Sequence, residues 1–348
     1  MALKTSFAAL GAAAVLATAF AGQAAARDQI HIVGSSTVFP FTTATAEAFG
    51  KLGSFKTPVV ESTGTGGGMK LFCGGVGTDT PDLTGASRRI KKSEIELCAK
   101  NGVAEIVEVK IGFDGIVFAN SKEGPVLDLT KAQIWKALSA QVVVDGALVD
   151  NPYTMWNEID GGLPATKIEV LGPPPTSGTR DAFSELVMET GCEEAEAVEA
   201  FKAAGDEKAK GCMKIREDGA YIEAGENDNL IVQKLVANKD AFGIFGYSFL
   251  EENADKIQGA KIEGVEPEYD NISSGKYGVS RSLFVYVKKA HIGTVPGIQE
   301  FMTEYTSGKA MGEDGYLADK GLIALPESEA SKIRTTVANM TPLDPAAF

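Results

Sequence analysis

Ile30-His31-Ile32-Val33-Gly34-Ser35-Ser36-Thr37-Val38-Phe39-Pro40 is the first regular unit of the chain and sets its fold class. The apolar run from Ile30 to Val33 reads as a strand. A glycine and three hydroxyl residues then make a loop, Pro40 suits an early helical position, and residues from Phe41 to Leu52 follow at helical spacing. The same alternation continues outward. Val59-Val60, Ile106–Val109, Ile116–Phe118, Ile168–Leu171, Phe242–Phe245 and Leu283–Val287 are predicted strands, and residues 131–139, 179–190, 193–204 and 297–307 are predicted helices. The pattern is α/β. At 348 residues the chain exceeds what one core usually organises, so two lobes are expected. Strands around Phe113–Phe118 and Val279–Val287 stand between similar α/β blocks, which suits a chain that crosses into a second lobe and later returns. A continuous pair of domains broken near Pro173-Pro174-Pro175 is the other arrangement that spacing allows.

Composition narrows the function. Hydrophobic residues make up 44% and charged residues 23%, which is ordinary globular usage and argues against a disordered or collagen-like chain. Lys plus Arg number 33 against 47 Asp plus Glu, a formal charge of -14 and the wrong sign for coating nucleic acid. With two histidines, a His-centred relay or His metal cluster is poorly supplied. Residues 1–26 differ from the rest: Lys4, an apolar Ala-rich run from Phe7 to Phe20, then Ala24-Ala25-Ala26. This reads as a signal peptide with a small-residue cleavage site, giving a mature start at or near Arg27. The run is too short for a membrane anchor, and no cysteine marks a lipidation site. Export makes the four cysteines candidates for disulfides, with Cys73 to Cys98 and Cys192 to Cys212 the favoured pairs. Free thiols and a metal site are the alternatives, the latter disfavoured by the lack of C-x-x-C spacing.

Three segments join a strand to a hydroxyl- and glycine-rich loop and a helix start: Val33 to Pro40, Ser62 to Lys70, and Pro174 to Asp181. Each offers backbone N–H groups at the positive end of a helix dipole, together with hydroxyl donors. One such loop is ordinarily an N-cap; three point to a shared anion site. Nucleotide and nucleophile motifs fail. Lys70 follows Met69 rather than glycine, so there is no Walker loop; Met69 also breaks the dinucleotide fingerprint begun by Gly64 and Gly66; Val38 stands where a serine elbow needs glycine. His31 and His291 read as structural histidines.

Gly34-Ser35-Ser36-Thr37-Val38-Phe39-Pro40, the Gly64-Thr65-Gly66-Gly67-Gly68 loop, Thr84-Gly85-Ala86-Ser87-Arg88, Asp114-Gly115 and Thr176-Ser177-Gly178-Thr179-Arg180 occur in order. So arranged, they closely resemble the periplasmic phosphate-binding proteins of bacterial ABC phosphate importers, over nearly the whole mature chain. The resemblance implies a type II periplasmic-binding-protein fold, two α/β lobes joined by two crossing strands, with phosphate held in the cleft. Residues 27–113 and 281–348 would form a discontinuous first lobe, and residues 114–280 an inserted second one. It also implies a ligand set: Ser36, Thr37 and the Val38 and Phe39 amides from the first loop, Thr65 from the second, Ser87 beside it, and Ser177, Gly178 and Thr179 from the third. Well-known members have Asp where Arg88 stands and Arg where Pro173 stands, so Arg88 and Arg180 are expected to supply positive charge and Asp114 the carboxylate. Each arginine could instead be a surface residue paired with Asp or Glu, and Asp114 could cap a turn before Gly115. Arg281, near the second crossover, is a weaker candidate.

The expected function is metal- and cofactor-free capture of inorganic phosphate in the periplasm by a monomer that delivers it to an ABC permease in the inner membrane. Hydrogen bonds suffice to hold the anion, and the local field in the cleft matters more than net charge. A secreted phosphatase on the same lobes is the alternative from another class, but it would need a nucleophile or metal cluster beside the site. Binding of sulfate, molybdate or a phosphonate is the third reading.

Overall fold

The computed structural model describes residues 27–175, 177–224 and 228–347; the expected signal peptide, Thr176 and Phe348 lie outside the described residues. Eight strands carry the architecture: β1 (His31–Gly34), β2 (Val59–Ser62), β3 (Leu83–Ala86), β4 (Ile106–Ser121), β5 (Val170–Gly172), β6 (Tyr221–Glu223), β7 (Phe242–Gly246) and β8 (Ser280–Lys288). They lie in the order β2-β1-β3-β8-β4-β7-β5-β6. β1 pairs in parallel with β2 and β3, and β5 in parallel with β6 and β7. Between these parallel groups β8 and β4 run antiparallel to each other and to their outer neighbours.

β4 joins the two groups. Its residues from Ile106 to Gly115 pair with β8, and those from Ile116 to Asn120 pair with β7. It is buried along almost its whole length, Glu108 and Lys110 only partly, and it joins the expected strands Ile106–Val109 and Ile116–Phe118 into one. Two α/β lobes joined by two crossing strands result. Loops at the carboxyl ends of parallel strands are where open α/β sheets bind ligands. Here those ends launch α1 (Phe39–Lys51) after β1, α2 (Thr65–Phe72) after β2 and α3 (Gly178–Phe183) after β5, so the three glycine- and hydroxyl-rich loops stand together at helix starts. Among the described residues no helix is long and apolar enough to cross a membrane.

The expected helix at 179–190 is longer. α3 continues through a π-helical stretch, Ser184–Glu189, into Thr190–Glu194. The expected helix at 193–204 is interrupted. The Ala197 amide donates to the Cys192 carbonyl at 3.0 Å across Glu196, whose φ is +56°, and the helix resumes at Val198–Ala203. That is a left-handed C-terminal cap on a non-glycine residue, which helical spacing could not announce.

Cys73 is bridged to Cys98 and Cys192 to Cys212, closing separations of 25 and 20 residues. Loops of that length give roughly 3 kcal/mol of stabilisation each in the chain-entropy picture. Reduction is therefore expected to lower the denaturant midpoint of the disulfide-bonded protein clearly. Equal midpoints with and without reductant would contradict it.

A buried polar cluster fixes the first lobe. Asp82 is fully buried; it accepts from the His31 amide at 2.7 Å, pairs with Arg27, and meets His291 Nδ1. Lys288, also fully buried, donates to the Gly75 carbonyl at 2.7 Å and to Thr80 at 2.6 Å. Burial pulls its ammonium down to about 8, against the raising effect of Asp82. His291 is thus a structural residue of the first lobe, 1% exposed.

Candidate functional site

The first loop lies between the ends of β2 and β3 because three glycines let the backbones meet. Gly34 has φ +131°, and a Cβ there would fall 2.1 Å from the Gly85 carbonyl oxygen. A Cβ on Gly68 would fall 2.5 Å from the Gly34 Cα, so α2 starts against the first loop. The Ser35 amide donates to the Gly85 carbonyl at 2.9 Å and the Thr63 amide to the Gly34 carbonyl at 2.9 Å. Thr65 and Ser87 consequently touch, hydroxyl to hydroxyl at 3.0 Å, while the Ser87 amide donates to Thr65 Oγ1 at 3.1 Å.

The third loop comes from the other lobe and abuts the first. A Cβ on Gly178 would fall 2.8 Å from the Thr37 Cα, and Thr37 donates to the Gly178 carbonyl at 3.3 Å. The Ser36 hydroxyl donates to Asp181 in α3. Ser177 caps α3, its Oγ accepting from the Thr179 amide at 3.2 Å. Arg180 lies 4.5 Å from the ring centre of Tyr221 and donates to the Pro173 carbonyl at 3.1 Å. Burial pushes the Tyr221 phenol up to about 12, so it stays neutral and donates to the same carbonyl at 2.7 Å.

At the crossing strands, Asp114 and Arg281 are direct cross-strand partners, with side chains 10% and 9% exposed. Arg281 Nη2 donates to Thr37 Oγ1 at 2.7 Å, Nη1 to Glu185 at 2.5 Å, and Nε stands 3.5 Å from Asp114 Oδ2. Neither that Nε nor that Oδ2 has a hydrogen-bond partner among the described residues. Burial raises the Asp114 carboxyl above its ordinary value, opposed by the Arg281 charge and reinforced by Glu185. A cation with a bifurcating fork and a buried acceptor therefore sit side by side where both lobes meet, suited to a tetrahedral anion that also carries a proton.

Two expectations need correction. Arg88 does not stand free for an anion: Nη1 and Nη2 donate to Glu94 at 2.9 and 2.8 Å. Burial works against the Glu94 carboxylate, yet Arg88 and the Lys91 amide hold it below the usual range. The Phe39 amide, expected to face the ligand, donates to the Ser35 carbonyl at 3.0 Å, and the Val38 amide to Ser35 Oγ at 3.4 Å. The first loop's remaining polar groups are the Ser36 and Thr37 hydroxyls, and both reach across to the third loop and its helix, at Asp181 and the Gly178 carbonyl. We expect Arg88→Met to change anion affinity by less than about fivefold, the range of a side chain already paired at a surface; a loss beyond thirtyfold by calorimetry would reinstate Arg88 as a ligand.

Sequence reasoning ranked Arg281 low and missed Asp181 and Glu185. One signal existed for the carboxylates: they are four residues apart on the helix whose stripe of Ala182, Phe183 and Val187 is buried, which places both on one neighbouring face.

Comparison with known proteins agrees with this fold. A family model, the PBP superfamily domain, matches residues 19–309. Protein SphX of Synechococcus elongatus is 30% identical over 326 residues, 91% of this chain and 86% of that protein. The phosphate-binding protein PstS of Staphylococcus saprophyticus is 29% identical over 302 residues, 85% of this chain and 80% of that protein. The crystal structure of a possible phosphate binding protein from Planctomyces limnophilus superposes with a TM-score of 0.70 at 29% identity, covering 89% of this chain and 98% of that one.

Proposed function

The chain belongs to the PBP superfamily, and from that premise we propose that it captures monohydrogen phosphate between its lobes, without catalysis, and delivers it to an ABC permease in the inner membrane. The observation that carries this reading is the buried Arg281–Asp114 pair, a cation and an acceptor at the point where loops of both lobes converge. The fork of Arg281, the hydroxyls of Ser36, Thr37, Thr65, Ser87 and Ser177, and the amides at the start of α3 supply donors. Asp114 accepts the proton the ligand retains. Arg180, stacked on Tyr221 at the same helix start, adds positive charge.

Export fits the same reading: the signal peptide would be removed near Arg27, and a monomer would work in the periplasm, where disulfides persist. Residues 27–113 with 281–348 and residues 114–280 would be the two lobes, the cuts falling at the Asp114–Arg281 partners. An anion bridging both lobes favours the closed arrangement through its contacts on each side.

The test is calorimetry on protein stripped of endogenous anion by unfolding and refolding. One phosphate per chain is expected, with sulfate at least a thousandfold weaker. Absence of phosphate binding, or equal affinity for sulfate, would overturn the reading.

A further inference from the structure

Glu185, on the helix that follows the third loop, is placed on the Nη1 of the site's buried arginine, Arg281. It sits in the π-helical stretch that follows α3, a departure from α-geometry often found at functional sites, and its side chain is 54% exposed. Arg281, by contrast, is 9% exposed and fixed by Thr37. An exposed, long carboxylate can leave; the arginine cannot. The charge of Glu185 also reaches Asp114, so it lies beside both members of the pair proposed to handle the anion.

Building on the phosphate capture proposed above, we infer that Glu185 is an affinity-setting residue, an internal anion that occupies the Nη1 donor of Arg281 and that phosphate must displace. The exchange costs little for a dianion that engages Nη1 and Nη2 together and more for a monoanion that can replace only one contact. Glu185 thereby filters abundant weak anions while it weakens phosphate binding moderately. It also reseats on Arg281 as phosphate leaves, which speeds release. It does not discriminate phosphate from sulfate, because it competes with any dianion in the same way; that choice belongs to Asp114.

Glu185→Ala is expected to tighten phosphate binding about three- to tenfold, the scale of one partly exposed ion pair plus relief of like-charge repulsion. Sulfate should tighten by the same factor, and stopped-flow dissociation of phosphate should slow. Glu185→Gln should fall between, since an amide keeps a hydrogen bond to Arg281 but not the charge. Wild-type protein that binds no phosphate would remove the capture reading and this inference with it. Wild-type binding accompanied by equal or weaker binding in Glu185→Ala would overturn the inference alone, and would mean that Glu185 holds the lobes closed around the ligand.

Discussion

Replacing Arg281 by methionine is expected to weaken phosphate binding about thirtyfold to several-thousandfold, the loss that follows truncation of one partner in a buried, hydrogen-bonded charge pair. Methionine keeps most of the apolar stem, so the change isolates the guanidinium. Three consequences add. The ligand loses a two-pronged, charge-assisted donor pair. The Thr37 hydroxyl loses the donor at 2.7 Å that fixes it beside the third loop. Asp114 also loses the cation that opposes its burial, so its carboxyl rises further and spends more of its time protonated, unable to accept from the ligand. The variant's deficit relative to wild type should therefore be largest at low pH and shrink as pH rises, because the acceptor recovers once Asp114 ionises. Arg281→Lys should recover part of the affinity, because it restores charge but not the fork. Calorimetry giving a dissociation constant within threefold of wild type for Arg281→Met would show that the cation is dispensable and that Arg180 carries its role.

How far the sequence could be read depended on how local the determinant was. The strand, loop and helix of residues 30–52 announced themselves, because alternation, glycine and proline act on the residues beside them. The crossing strands were legible in part: the apolar runs at 106–109 and 116–118 mark portions of β4 without showing that one strand of 16 residues joins them, while β8 is a continuous apolar run from Leu283 to Val287. Arg281 was not. Its importance comes from the register that sets it opposite Asp114, and a partner 167 positions back leaves no periodic trace between them. Arg88 was misassigned through the opposite error. Its true partner, Glu94, is only six residues on, in the first turn of the next helix, where a carboxylate serves the helix N-terminus and is easily taken as merely a cap. Substitution of a charge relative to the family pattern located the change without saying which arginine compensates for it. Glu185 stayed hidden because its role exists only when two lobes are brought together.

Asp114→Asn is expected to reduce the preference for phosphate over sulfate by at least a hundredfold, and the structure removes the competing account of this residue. Asp114 is not a turn cap: it lies inside β4, extended, with Arg281 as its cross-strand partner, and 7% exposed. Gly115 beside it has a steric reason of its own, since a Cβ there would come within 3.1 Å of both Ile272 and Ile323. A buried carboxylate rewards a ligand that brings a proton and repels one that brings none, and a site built around such a hydroxyl rejects the analogue lacking it by roughly 10⁴ to 10⁵. Asparagine can turn its amide donor to sulfate, so most of that rejection goes. Stability should move the other way. The folded protein holds the Asp114 carboxyl above its unfolded value, so the stabilisation it allows is complete below the unfolded value and is lost as pH rises through the folded one. Above its unfolded value the buried carboxyl is a cost, and the asparagine variant should unfold at higher denaturant than wild type in the absence of anion, the difference closing as pH falls toward about 4, the unfolded value. Competition titration and denaturation on one variant therefore read the two roles together. Selectivity unchanged would return the acceptor role to another group; selectivity lost with no gain in stability would mean that Arg281 already compensates the buried charge in full.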